Sequence, residues 1–544
     1  MLNASAFLKS VRVRSAILAI VLAGAGAIGV IYFFNPVARN QEPQFLTFDE
    51  LKKLSANPHP GGLLEMKLKR FWETPIISNE AYDAGAKPYR PVDPQLGPSL
   101  HLVSWNIEKS LLMKEAISAF SSADQFRALI DPEKASEGSE RYKTVLRQRE
   151  RLEKADVIVL QEMDIGVKRS GYINAAGDIA RALKMNYAYA PEQLEIDPVY
   201  LGLEKILYND GTVDQEQTDH YKVDPRQYKG VFGVAVLSRY RIKKVQAFQL
   251  KSQAYDWHAG EKPKIGFVET TRRVGAKVLF HNQLTREIKA GGRIFFRVDL
   301  AVPDLPEGTL TIINVHLEIK CLPKGREAQM DEILSYIKGI RHPVIVVGDF
   351  NSAPEDLSPT SAWRVTQRMA KDPETWVSVA TSVFLPYALA INTGRFTAKY
   401  TKNFNDPFAS DISVIAPNPL KPLFEMIQNY RFSDGKAFDF RGDAERSING
   451  KSGILANSNQ RSRKAFKTSW RVKRPISIIG RYRLDWAFVK SAYLKDPYDK
   501  TAAYRFAPHF GETLEEMNTS LKIPISDHHP NAVDIPFAEP KIKA

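Results

Sequence analysis

The stretch Val344–Pro354, V-I-V-V-G-D-F-N-S-A-P, constrains this chain more than any other. Four β-branched residues closed by a glycine read as a strand buried on both faces that stops abruptly, because a short apolar run ended by a turn signal has few other readings. Asp349 and Asn351 then stand two positions apart at its carboxyl end. In extended backbone such positions share a face, so a carboxylate and a carboxamide would point together above a sheet. That is a catalytic arrangement if other polar groups converge there, and an ordinary Asx-type turn if they do not.

The same design recurs along the chain. Leu102–Trp105 ends at Asn106, Val157–Leu160 at Gln161-Glu162, Val234–Leu237 at Ser238-Arg239 and Thr309–Val315 at His316, while Leu484–Val489 carries Asp485. Helical periodicity intervenes over Glu140–Lys154, Ala175–Leu183 and Arg326–Ile340. Strands and helices mixed in this way predict a layered α/β or α+β domain rather than a bundle or an all-β barrel. Residues 352–480 break the rhythm with Pro, Asn and Gly and read as a long insertion. Near its end, Ser447–Leu484 is rich in Lys and Arg, lacks Asp and Glu, and interleaves Phe466, Trp470 and Tyr482. Cations among aromatics can hold phosphates while stacking bases, can sit at a lipid interface, or can form a plain solvated face. Trp470, Arg471, Lys473 and Arg474 are the candidate substrate-binding residues of this stretch.

Ser15–Phe34 carries no charge and is dominated by Ile, Leu, Val, Ala, Gly and Phe. Roughly 20 residues at about 1.5 Å each span a bilayer. Lys9, Arg12 and Arg14 precede the stretch, so the positive-inside bias predicts a cytoplasmic segment 1–14, a single-pass anchor over 15–34, and the remainder on the non-cytoplasmic, periplasmic or extracellular side. A cleavable signal peptide is the competing reading, with small residues at Ala23, Ala25 and Ala27, although cutting there would leave Ile28–Phe34 as an apolar stub. Residues 35–98 read as a tether with one amphipathic helix near Phe48–Leu54, and 99–540 as the catalytic domain. A net charge of +14 favours anionic partners, and Cys321, the only cysteine, excludes an internal disulfide and a cysteine-rich metal site.

Taken in order, the polar strand ends are W-N-I-E at 105–108, Q-E at 161–162, H-L-E at 316–318, G-D-F-N at 348–351, R-L-D-W at 483–486 and S-D-H-H-P at 526–530. Carboxylates and carboxamides without cysteine suit a hard, oxygen-seeking divalent ion such as magnesium. In this order the elements resemble those of the endonuclease/exonuclease/phosphatase superfamily, over about Ser99 to Ile535. The resemblance implies an α+β fold, a four-layer α/β/β/α sandwich with the site at one edge of two packed sheets, and metal-dependent hydrolysis of phosphoesters.

Residue by residue, the resemblance makes Glu162 the principal ligand of Mg (or Mn), with Asn106, Glu108 and Asp527 beside it. It implies that Asp349, helped by Asn351, orients and activates water, and that His316 contacts the scissile phosphate. His528 would stabilise developing charge or protonate the leaving group, with Asp485 fixing its tautomer. His529 has no family role, Glu318, Arg326 and Gln329 are possible cleft residues, and the cluster Asp256-Trp257-His258 is read as structural. One departure stands out: Val234 follows Gly233 where family members often carry Asn, which puts one phosphate contact in doubt. The expected substrate is a phosphate-containing one, nucleic acid or phospholipid; the rival expectation is a non-catalytic anchored binding module for anionic ligands.

Overall fold

Two sheets pack face to face, as a computed structural model of the chain shows for residues 38–208, 210–262, 287–352, 420–441, 469–476 and 479–541. At 471–476, 479–482 and 510 it gives the backbone alone. The expected anchor over 15–34 and most of the expected insertion lie outside these residues. Among the described residues no helix is long and apolar enough to cross a membrane.

The first sheet runs in the order β1 (Ile76–Ser78), β5 (Asn186–Glu195), β6 (Val231–Ser238), β4 (Val157–Ile165), β3 (Gly97–Asn106), β16 (Asn531–Pro536), β15 (His509–Thr513), with β2 (Val92–Asp93) on β3 and β8 (Lys289–Gly291) on β5. The second runs β14 (Asp485–Lys490), β11 (Val344–Asp349), β10 (Thr309–His316), β9 (Ile294–Ala301), β7 (Ile242–Gln249). A separate hairpin joins β12 (Trp470–Ile476) to β13 (Ile479–Tyr482).

The unbroken apolar runs seen in the sequence have their cause in this layering. In β4, Val157 and Val159 enter the core between the sheets while Ile158 and Leu160 enter the core on the outer face. In β11, Ile345 and Val347 face the other sheet, and Val344 and Val346 face helices. A strand covered on both sides has no polar face to show, so period-2 alternation vanishes. Gly348, next to last in β11, takes φ 141°, where a Cβ would lie 2.1 Å from the carbonyl oxygen of Val315 on β10. Only glycine allows that strand pair to close so near Asp349.

On the outer face of the first sheet, α1 (Phe48–Ala56) and α2 (Gly62–Glu73) share one core with α3 (Met113–Ser121), α4 (Glu140–Glu153) and α5 (Ala175–Leu183). α6 (Pro323–Ile337) and α7 (Lys421–Asn429) cover the second sheet through Met330, Ile333, Leu334, Leu423 and Phe424. The order helices, sheet, sheet, helices is the expected sandwich.

The tether expectation for 35–98 is corrected. Leu51, Leu54, Leu68, Phe71 and Trp72 are core residues, and β1 pairs with β5 in the sheet. α1 begins with a capping box, in which the Thr47 hydroxyl accepts from Glu50 N and the Glu50 carboxylate accepts from Thr47 N. Short helices parted by Pro and Gly look like a linker in sequence because their apolar faces complete a core made elsewhere.

Across the β3–β16 pair, His101 stands opposite Asp534. The Asp534 carboxylate is 2.5 Å from His101 Nδ1 and 3.1 Å from Arg151 Nη1 on α4, which ties a helix to the sheet. Burial opposes the carboxylate's charge, but Arg151 and His101 hold its pKa down at about 2.

Candidate functional site

Strand register gathers the polar ends. β10 and β11 run parallel with His316 opposite Asp349, and β14 runs against β11 with Asp485 opposite Asp349. In the other sheet β3 and β4 run parallel with Asn106 opposite Gln161. Parallel neighbours put their carboxyl ends at one edge, which is where open sheets bind ligands. The segment Ser526–Pro530 leads into β16 beside β3, with Trp105 Nε1 donating to the His528 carbonyl at 3.1 Å.

From this edge a continuous chain of side-chain contacts forms. Asn106 Nδ2 lies 3.2 Å from Glu162 Oε1 and 3.1 Å from Asp349 Oδ2, so one carboxamide bridges two acids from different sheets. Asp349 Oδ2 is 3.8 Å from His528 Nε2, and His528 Nδ1 is 2.9 Å from Asp485 Oδ2. Ser469 Oγ accepts from the backbone N–H of Leu484 and Asp485, fixing the strand that carries that last acid. Burial works against charging the imidazole, but Asp485, Asp349 and Asp527 outweigh it and raise His528 to about 10. The ring is therefore an imidazolium at neutral pH.

Glu162 owes its position to an irregular stretch of β4. The register with β6 shifts between Leu160 and Met163, and Glu162 takes φ 60° there. Its Oε2 accepts from the backbone N–H of Lys109 at 3.0 Å. Burial pushes the carboxyl up, yet His316, Lys109 and His528 more than compensate and hold it below its ordinary value. It remains about one-fifth exposed, an ionised oxygen donor open to a ligand.

His316 Nε2 faces Glu162 Oε1 at 4.0 Å. Its Nδ1 is 2.9 Å from Glu192 Oε2 and 2.7 Å from Arg293 Nη1. Arg293 also reaches Glu318 at 3.2 Å, and Glu318 accepts from Trp257 Nε1 at 2.9 Å. Glu192 and Arg293 went unnoticed in the sequence. They lie inside or beside buried strands with no break in pattern to mark them, and they meet His316 only through space.

The structure thus brings together Asn106, Glu162, Asp349, His528 and Asp485, with His316 at the edge of the group. Asn351 is adjacent, its Nδ2 donating to Leu317 O at 3.0 Å. Glu108 is turned toward the loop before β16, where its Oε2 accepts from Asp527 N at 3.1 Å. Asp527 Oδ2 accepts from Trp470 Nε1 at 2.8 Å. Trp470, read as a base-stacking face, is 4 % exposed and props the site from beneath, a correction to that expectation. An aromatic among cations carries no sequence mark of its burial. The side chains of Arg471, Lys473 and Arg474 lie outside what is described.

Glu318, Arg326 and Gln329 are buried, forming a wall behind the His316 strand. Within Asp256-Trp257-His258, Trp257 and His258 are buried, with the histidine ring 3.0 Å from Ser55 O, while the exposed Asp256 closes the turn by accepting from His258 N and Ala259 N. Val234 is part of the core between the sheets, so its exchange for Asn does not fall on a phosphate contact.

Two ligand sets compete for a metal. Among the described residues, the one His/Asp/Glu group whose ligand atoms all lie within 4.8 Å of one another is Asp349, Asp485 and His528. His528 Nδ1 is engaged with Asp485 at 2.9 Å, so this trio fits proton handling better. Glu162 has the oxygen chemistry a hard divalent ion takes, with the Asn106 amide beside it.

No curated protein sequence matches the chain. Among solved structures, an endonuclease/exonuclease/phosphatase from Beutenbergia cavernae is similar at 14 % identity and TM-score 0.36, with 81 % of this chain and 72 % of that one covered. The human Nocturnin catalytic domain with bound sulfate is similar at 12 % identity and TM-score 0.33, covering 81 % and 95 %. A Neisseria 3′ phosphatase bound to a product DNA hairpin is similar at 12 % identity and TM-score 0.32, covering 80 % and 99 %. The model of the Endonuclease/Exonuclease/phosphatase family matches residues 103–528, most of the chain and every site residue described above, and the chain belongs to that family.

Proposed function

We propose that the chain is a divalent-metal-dependent phosphoesterase, anchored in a membrane by residues 15–34 with its catalytic domain on the non-cytoplasmic side. The observation that carries the chemistry is the single file Glu162–Asn106–Asp349–His528–Asp485, in which an ionised acid, a water-orienting acid and an imidazolium face one space. Magnesium or manganese would be held by Glu162, with Asn106, Glu108 and Asp527 near it, and supplies Lewis-acid polarisation of the phosphoryl group.

The protein's own residues account for the rest. Asp349 is held at Oδ1 by Asn351 N at 2.8 Å and at Oδ2 by the Asn106 amide, so it can take a proton from the attacking water without swinging. His528, protonated and oriented by Asp485, donates to the phosphoryl or leaving-group oxygen as charge builds there. His316, backed by Glu192 and Arg293, presents Nε2 toward the same space as Glu162. Phosphoryl transfer asks for positioning and charge stabilisation, and little else from the protein.

The test is hydrolysis of bis(p-nitrophenyl) phosphate, plasmid DNA and sphingomyelin by residues 38–544. Chelator should abolish turnover and Mg or Mn restore it, and Glu162→Gln should lower kcat by about a hundredfold or more with an unchanged far-UV spectrum. Wild-type turnover in chelator, or in Glu162→Gln, would overturn the assignment; intact anion binding with no turnover on any ester would favour a binding module.

A further inference from the structure

A cavity of about 290 Å³ opens directly beside the site and takes no part in the chemistry so far assigned. Lys109 connects the two. Its backbone N–H holds Glu162 Oε2 at 3.0 Å, while its side chain forms the cavity wall and pairs with Glu287. The cavity and the expected metal ligand therefore share Lys109 as a neighbour.

The wall is aromatic and its charges are largely paired. Tyr200, Tyr221 and Tyr228 line it, with the Tyr200 and Tyr221 rings 6.2 Å apart and the Tyr228 hydroxyl donating to Glu195 O at 2.8 Å. Arg169 bridges Asp164 and Glu195 at 2.7 Å each, and Lys289 Nζ meets Glu287 at 2.7 Å. Two carboxylate oxygens are left over, Asp164 Oδ2 behind the wall and Glu195 Oε2 on a residue that lines it. Glu195 is 3 % exposed, its Oε1 is used by Arg169, and its Oε2 is buried with no hydrogen-bond partner. A buried carboxylate oxygen without a donor is costly, and an N–H brought by a ligand would repay it.

Three properties select among ligands. The volume is several times what a primary amine fills, but suits a ring carrying a sugar. Four basic side chains, Lys109, Lys168, Arg169 and Lys289, line the space against three acidic ones, Glu195, Asp197 and Glu287, so the balance is only mildly against a fixed cation such as a quaternary ammonium. Flat tyrosine faces with a lone acceptor carboxylate match a base offering an N–H edge, since carboxylates accept from the ring and amino N–H groups of base edges and aromatic side chains stack unpaired bases.

We infer that this cavity is a base-recognition subsite, in which Glu195 accepts an N–H from a nucleobase lying against Tyr221 while the base's own phosphate reaches the Glu162 edge. The inference rests on the phosphoesterase reading only for turnover, since binding can be read without it.

The experiment pairs binding with kinetics on residues 38–544. Calorimetry measures the affinity of thymidine 5′-monophosphate for wild type, Tyr221→Ala and Glu195→Gln. Kinetics compare p-nitrophenyl thymidine 5′-phosphate with bis(p-nitrophenyl) phosphate. Tyr221→Ala should weaken binding about tenfold and lower the nucleotide-over-generic ratio of kcat/KM by a similar factor, carried by KM. Glu195→Gln should shift the same ratio, while Tyr221→Phe, which keeps the ring, should restore it. No nucleotide binding by the wild type, or affinities that neither variant moves, would overturn the subsite; so would a phosphocholine ester whose KM responds to the two variants while the nucleotide's does not. Binding lost in the variants, with no turnover of either ester by the wild type, would support the subsite and sink the phosphoesterase reading instead.

Discussion

Glu108, Lys109, Ser110, Glu162 and Asn351 all take φ between 44° and 60°, half of the ten non-glycine residues with positive φ among those described. Such conformations cost on the order of 1–3 kcal/mol each and persist where the surroundings over-determine them. Here they turn Glu162 toward Asn106, aim the Lys109 N–H at it, and carry the chain away from Asp349. Strain gathered at one place is consistent with a site that must be rigid before substrate arrives. Asp485 is the residue whose part can be isolated most cleanly. Asp485→Asn keeps the volume but removes the negative charge that orients His528 and stabilises its imidazolium, so kcat on bis(p-nitrophenyl) phosphate should fall by about a hundredfold or more while KM changes little. A variant turning over at the wild-type rate would show that the imidazolium needs no partner. Glu162, Asp349 and His528 could be picked from the sequence because each ends or precedes an apolar run. Glu192 and Arg293 could not, since their meaning lies in a contact with His316 that no spacing encodes.

At the level of elements, the β3–β16 pair has a measurable acid response. Asp534 has a folded pKa of about 2, against an ordinary value of 3.8. A depressed carboxylate contributes stability above its unfolded pKa, and the contribution is lost as pH falls through the folded one. Asp534→Asn should therefore cost on the order of 2 kcal/mol in urea unfolding at pH 7, and its deficit against wild type should close between about pH 4 and pH 2. A deficit independent of pH would mean that packing, rather than the ion pair with Arg151 and His101, ties α4 to the sheet. Strand identity was legible because β-branched runs with sharp ends have few other readings. The N-terminal helices were not read as part of the domain. Their apolar residues, Leu51, Leu54, Leu68, Phe71 and Trp72, complete a core whose other members lie far along the chain. A helix that finishes someone else's core looks locally like a piece of linker.

For the whole molecule, the layer order could be anticipated while the partition between domain and tether could not. With α1 already packed, only about ten residues separate Phe34, the end of the apolar stretch, from the fold, so the catalytic body would sit close against the bilayer. The full chain should sediment with membranes and resist release by high salt, whereas residues 38–544 should stay in the supernatant. Recovery of a chain shortened at its N-terminus in the soluble fraction would favour cleavage of the leader, and a soluble full-length chain would overturn the anchor. The site is also assembled from distant parts of the chain, as the bond from Trp105 to the carbonyl 423 positions later makes plain. β16 inserts between β3 and β15, and His528, just before it in sequence, follows every other residue of the site. A nascent chain that has emerged only as far as β14 therefore holds Glu162 and Asp349 but not His528. On the proposed mechanism such a chain would be inert while it is being made, and a stop codon before Ser526 should abolish turnover as completely as one within β3.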